Sequence, residues 1–445
     1  MNAEIRPIRT AAEQSLASHF ELVKGGLPGG PDVARLRERA FAGFAEAGLP
    51  SRRVEEWKYT DLRALLRDAA PLASPPDAAA IALVRKSDPL EGVALRRLVL
   101  VNGTFVPELS DVGKLEKGLT IVPLARALVD KHALVARIGA LKPETFDATL
   151  ALNSAFLNDG VLIEIGEAVV LERPIYIRNV FTGAAAAATF ARSLVVIGKA
   201  ANATLVESFE GPDGVAYQAN ATLELHIGDR ADVSLVRLQS EGDAALHLST
   251  SLVEIAADAE VVTCALTTGG AVSRHGATVR LAGKHTNLRM AGATLLRGRQ
   301  HADSTLVVDH SVPDCASREM FRAVLDDTSR GVVQGRIVVR PDAQKTDGRM
   351  SLAALQLAEG AEADLKPELE IFADDVQCGH GATSGALDEQ LLFYLMARGI
   401  PRKQAEALLV EAFFGEALQQ IAHEGLRTAF VERAAAWLAE RERAA

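Results

Sequence analysis

Two residues with soft-metal and sulfur chemistry, Cys378 and His380, stand two positions apart in the stretch DDVQCGHGATSGALDEQLLFYLMARGIP, residues 374–401. In an extended strand that spacing puts a thiol and an imidazole on one face, within reach of a shared metal ion or sulfur. Asp374 and Asp375 precede them, and Gly379, Gly381 and Gly385 leave the backbone free to approach a partner. A helix is expected next, with Asp388 as its N-cap and Gly399 as its stop. Two ligands are not a complete metal site, so anything held here must bring others. On the residues alone, the alternative is a corner where both side chains merely pack or hydrogen-bond.

A second cluster, His301, Asp303, Asp309 and His310 in QHADSTLVVDH, also invites a metal reading. No closed ligand set accompanies it, so a polar ladder on an outer strand face is the favoured expectation. His275 and His285 read as surface or corner residues. The chain has three cysteines, an odd and widely spaced set that suits a reducing compartment better than a disulfide framework. Cys264, inside VVTCAL, reads as a buried small hydrophobe; Cys315, after VPD, could be buried or reactive.

The elements that must position these residues follow from periodicity. From Thr10 to Gly48, apolar residues recur at three and four, interrupted by GGLPGG, which predicts a helical hairpin. In EEWKYTDLRALL, Thr60 or Asp61 can cap a short helix, with Trp57 and Tyr59 as packing anchors. The Pro- and Ala-rich DAAPLASPPDAAA reads as a linker, and Asn102-Gly103 as a type I′ hairpin turn. Helical spacing returns over 123–138 and 145–157.

From Val161 to about Phe372 the chain is a series of short strand-like runs. Asn202, Asp232, Glu260 and Asn287 open comparable units at spacings of 30, 28 and 27, and a later copy is expected at Asp364. Such a repeat predicts a β-solenoid, with an antiparallel sandwich as the competitor. After Asp388 three helices are expected: 389–398, one opened by Pro401 with a stripe of Ala405, Leu408, Leu409, Ala412 and Phe413, and a last one with Leu426, Ala429, Phe430, Trp437 and Leu438 on one side. The expected division is a helical region with linker over 1–92, a mixed transition over 93–159, a β core over 160–386 and a helical domain over 387–445.

A hydrophobic content of 48% over 445 residues supports a large core, and a formal net charge of −10 argues against nucleic acid or anionic membrane as partner. No run of about 18 apolar residues and no signal-peptide core are apparent, so a cytoplasmic protein is expected.

Four stretches together carry a resemblance over nearly the whole chain: EEWKYTDL (55–62), FDATLALNSAFLNDGV (146–161), residues 300–351, and PELEIFADDVQCGHGATSGALDEQLLFYLMARGIP (367–401). They resemble the SufB/SufD family of iron–sulfur cluster assembly subunits, and its SufD branch above all. The resemblance implies a right-handed parallel β-helix between helical ends, pairing with a SufB-like subunit, and C-terminal helices that hold a SufC-like ABC-type ATPase. It implies no catalytic residue in this chain, ATP being hydrolysed on SufC; no GxxxxGK[ST] segment is present, in agreement. His380 and Cys378 match the family's residues at the interface with SufB, where they would hold iron or a transient cluster jointly with that partner, without a permanent cofactor. Phe393, Tyr394, Arg398, Gly399, Ile400 and Pro401 are the expected ATPase contact. Gly379 and Ser384 depart from the family's frequent serine and apolar residue without removing a ligand. A SufB-like scaffold with its own cluster, a β-helix enzyme acting on polysaccharide, and a homodimer in the absence of SufB are the competing expectations.

Overall fold

A computed structural model describes residues 9–444, with side chains to Arg441; the first eight residues, read above for a leader, lie outside it. From Val161 the chain winds as a parallel solenoid, each turn giving one strand to a nine-stranded sheet and one to a ten-stranded sheet. Parallel ladders such as Asn202–Glu210 on Asp232–Ser240 exclude the antiparallel sandwich. The predicted repeat is the register itself: Asn202, Asp232, Glu260 and Asn287 are stacked partners, and the column continues through Ala316 and Asp347 to Gln377. Asp364 is not a member. It pairs with Val332 in the other sheet, because every turn holds two similar strands and the sequence does not mark which is which.

One corner of each turn is built around a non-glycine residue in the left-handed region: Ala168, Ala200, Arg230, Asp258, His285, Asp314 and Lys345, with φ of 54–64°. Each such residue costs on the order of 1 kcal/mol. The strain is offset because the corner N–H groups are satisfied turn to turn, as in Ala200 to Asp229 O at 2.7 Å and Arg230 to Ala257 O at 2.8 Å.

Alternation along the strands sends Val233, Leu288, Leu306 and Leu352 into the solenoid, where they form the main core. The outer face of the ten-stranded sheet is covered by helices Arg402–Leu418 and Glu424–Ala444, burying Val410, Phe414, Leu418, Phe430 and Trp437. Cys264 is buried there, its Sγ 3.6 Å from Ala417 O. The predicted stripe of the first of these helices is rotated: Leu408 is exposed and Val410 and Phe414 face the sheet. Several apolar residues lie all round that helix, so spacing alone does not choose a face.

Helices Ala11–Val23, Pro31–Ala47 and Ala148–Ala155 form a second core against the nine-stranded sheet. The hairpin turn is as expected, with Asn102 and Gly103 at φ 53° and 77°. The expected linker runs along the solenoid, Leu72 bridging Ala188, and ends in helix Ala78–Val84 capped by Asp77. No helix among the described residues is long and apolar enough to cross a membrane.

Candidate functional site

The two ends of the solenoid are finished differently. At the start, strand Leu119–Pro123 closes one sheet antiparallel on Val161–Ile165, and the hairpin closes the other. At the far end, strands Glu362–Ile371 and Gln377–Gly385 each have a neighbour on one side only, and none of their residues is buried.

Cys378 and His380 lie on this last strand. Their register partners, Gly348 and Met350, stand over Ser317 and Glu319, so both side chains are on the inward face, as their spacing required. Cys378 packs partly against the core and His380 is exposed at the open mouth. Burial pushes the Cys378 thiol up, so at neutral pH it is protonated and a metal must displace that proton. Among the described residues no three His, Cys, Asp or Glu side chains converge as a metal site. The pair therefore offers one soft sulfur and one imidazole at an open strand edge.

Beneath them lies a group that sequence reading missed. Glu319 is buried in the interior, neither carboxylate oxygen has a hydrogen-bond partner, and burial pushes its pKa up to about 8. His310 shares that interior, with Nε2 3.0 Å from Ser317 Oγ, and burial pushes it down to about 4. The signal was present: in ASREMFRAVL, Glu319 alternates with Ser317, Phe321, Ala323 and Leu325.

The other histidines are dispersed. His301 Nε2 is 2.8 Å from Thr60 Oγ1, and Asp303 accepts from Thr60 and is paired with Arg274. Asp309 is paired with Arg340 at 2.9 Å, while His310 points the opposite way. The outer polar ladder thus accounts for three of the four. Thr60 is thereby committed, and Asp61 caps helix Leu62–Leu65. His275 is a correction: it belongs to the interior, with Nδ1 3.0 Å from both Arg237 Nη1 and Ser249 Oγ, since it alternates with inward Ala277 and Val279. His285 is an exposed corner residue, and Cys315 is buried at a corner against Gly283 O, 3.3 Å away. Trp57 is buried beneath Arg274, whose guanidinium carbon sits 3.9 Å from the ring centroid, and Arg274 and Gln334 both donate to Glu56 O. The segment 55–60 is thus strapped across the late turns of the solenoid.

After the last strand, Asp388 accepts from the Gln390 and Leu391 N–H groups and starts helix Glu389–Met396. Only Leu392 of that helix is buried; Leu391, Phe393, Tyr394 and Met396 are exposed, Phe393 at 73%. Arg398 lies over the Tyr394 ring at 3.5 Å, Gly399 turns the chain at φ 85°, and after Ile400 the next helix begins at Arg402 with Pro401 as its N-cap, one residue later than predicted. A contiguous apolar and cationic surface is the result, and such surfaces mark contacts with partners.

Comparison with known proteins matches residues 180–413 to the description "SUF system FeS cluster assembly, SufBD core domain" and residues 29–177 to "SufBD protein N-terminal region". The chain is 30% identical to the iron–sulfur cluster assembly protein SufD of Escherichia coli, over 87% of this chain and 88% of that one. It is 29% identical to a SufBD family protein of Synechocystis, over 84% of each, and 29% identical to the chloroplastic protein ABCI7 of Arabidopsis thaliana, over 63% and 61%.

Proposed function

The chain belongs to the SufB/SufD family of iron–sulfur cluster assembly proteins and is most like SufD, and from that premise we propose that it is a noncatalytic scaffold subunit of a SufBCD-type complex. The observation that carries this reading is the unfinished last turn, which presents Cys378 and His380 on a strand with a free edge. A SufB-like chain would complete that edge by strand addition, main-chain hydrogen bonds giving affinity and the alternate side chains giving specificity. Iron or a nascent cluster is cargo here. The Cys378 thiolate and neutral His380 would supply two ligands, and SufB or sulfide the rest. The exposed face of helix Glu389–Met396, with Phe393, Tyr394 and Arg398, and the Gly399–Pro401 turn would hold a SufC-like ATPase. Hydrolysis on that subunit would move a lever seated beside the last turn.

The experiment is anaerobic reconstitution of the complex assembled from this chain and its SufB- and SufC-like partners. With His380→Ala, the complex should assemble but build less cluster, read by iron content and visible absorption. Cluster formation at the wild-type level would overturn the ligand assignment. Ending the chain before Leu387 should abolish co-purification of the ATPase, and retained binding would overturn the docking assignment.

A further inference from the structure

We propose that the cleft between helix Pro31–Ala47 and the segment 131–147 binds a small organic anion with an apolar body. The cleft has a volume of about 1060 Å³, at the upper end of the range occupied by small-molecule sites. Its walls are apolar, including Val33, Leu36, Val135, Ile138 and Leu150, and Phe146 lies half exposed at the rim, close over Gly43.

The charges decide the class of ligand. Three acidic residues line the cleft and all are engaged: Asp32 with Arg35, Glu144 with Arg340, and Asp147 with the Thr149 and Leu150 N–H groups of the helix it caps. Four Arg and Lys residues line it too; apart from Arg192, these are Arg39, Lys131 and Lys142, and among the described residues the side chains of those three form no ion pair or hydrogen bond. Helix Pro31–Ala47 also opens into the cleft with Gly30 as its N-cap, which has no side chain to satisfy the first N–H groups. At the floor, Arg192 is fully used by Glu224, Asn153 and Ser154, and Glu224 also accepts from the Gly139 N–H. The floor is thus fixed, while unpaired positive charge is concentrated at the rim. An apolar body would sit against the walls, with its carboxylate, sulfonate or phosphate at the mouth.

The full chain would be titrated with 8-anilinonaphthalene-1-sulfonate and, separately, with its uncharged analogue N-phenyl-1-naphthylamine. Lys131→Glu with Lys142→Glu, both at exposed positions, should weaken the sulfonate by about tenfold, from Coulomb attraction turned into repulsion at the rim, and the neutral analogue by less than about twofold. The sulfonate should also weaken as salt rises. Because helix Glu389–Met396 exposes apolar surface as well, Leu391→Ser with Phe393→Ser is the second variant, and it should leave sulfonate affinity unchanged. Equal affinity for the two probes, indifference to the rim reversal, or loss of binding in the helix variant would each overturn the proposal.

Discussion

Glu319 makes a quantitative demand on stability. Its carboxyl is buried without a hydrogen-bond partner and ionises near pH 8 in the folded chain, against the ordinary 4.5. Below about pH 4.5 both folded and unfolded chains hold the proton and the group costs nothing through ionisation. Between 4.5 and 8 the unfolded chain releases the proton and the folded chain keeps it, so unfolding becomes easier by about 1.4 kcal/mol per pH unit. The accumulated cost is under about 1 kcal/mol at pH 5 and about 4 kcal/mol at pH 7.5. Glu319→Gln keeps the shape and cannot ionise. Denaturant unfolding of the wild type and the variant at both pH values isolates this group, since the other titrations are common to the two chains apart from Cys378, whose raised thiol also feels the Glu319 charge. The variant should match or fall slightly below the wild type at pH 5 and exceed it by about 3 kcal/mol at pH 7.5, the difference between the two costs. A difference between the chains that does not change with pH would refute the argument.

Two further outcomes follow from packing. Gly160 opens the solenoid at φ 152°, and a Cβ there would lie 1.8 Å from Arg192 O, so Gly160→Ala should destabilise by more than about 4 kcal/mol and yield insoluble protein on expression. Trp57→Ala should cost about 3–5 kcal/mol by removing a buried indole, and should speed hydrogen exchange in 55–62 as the strap is released; Trp57→Phe should cost much less, and equal exchange in wild type and Trp57→Ala would show that the strap is held by its polar contacts alone.

The solenoid was legible because its repeat is written in spacing: the Asn202 column is the register, and short β-branched runs cannot build long helices. What spacing does not carry is the identity of the sheet, hence the misplaced Asp364. Inward and outward faces were harder, since both faces are covered over much of the length. Outward Cys264, Ala291 and Leu295 are as buried beneath the C-terminal helices as inward Leu288 is within the solenoid. Glu319 still alternates with inward Phe321, Ala323 and Leu325, but with the outward positions apolar as well, that alternation does not say which face is the interior. At the candidate site the same-face placement of Cys378 and His380 needed only a period of two. The strap through Trp57, Thr60, Arg274 and Asp303 joins residues more than 200 positions apart, beyond the reach of any local pattern.

The two free edges of the last turn are not equivalent, and the difference bears on how a partner would approach. Strand Glu362–Ile371 carries Glu362, Asp364, Lys366, Glu368 and Glu370, with Pro367 in the middle. Charges and proline are the devices that keep an edge strand from pairing with another chain. Several of these charges are also tied down, Lys366 to Glu55 and Asp364 to Arg330, so the edge is held in its guarded form. Strand Gln377–Gly385, QCGHGATSG, has no charged side chain and no proline, and its three glycines allow another backbone to come close. An unguarded edge on a solenoid otherwise finished at its start would be an aggregation hazard unless a partner covers it. Guarding one edge and baring the other would direct the proposed strand addition to the strand that bears Cys378 and His380. The exposed helix face follows directly after that strand, so the proposed contact on the helix and the proposed ligands on the strand would be separated only by the short turn through Asp388.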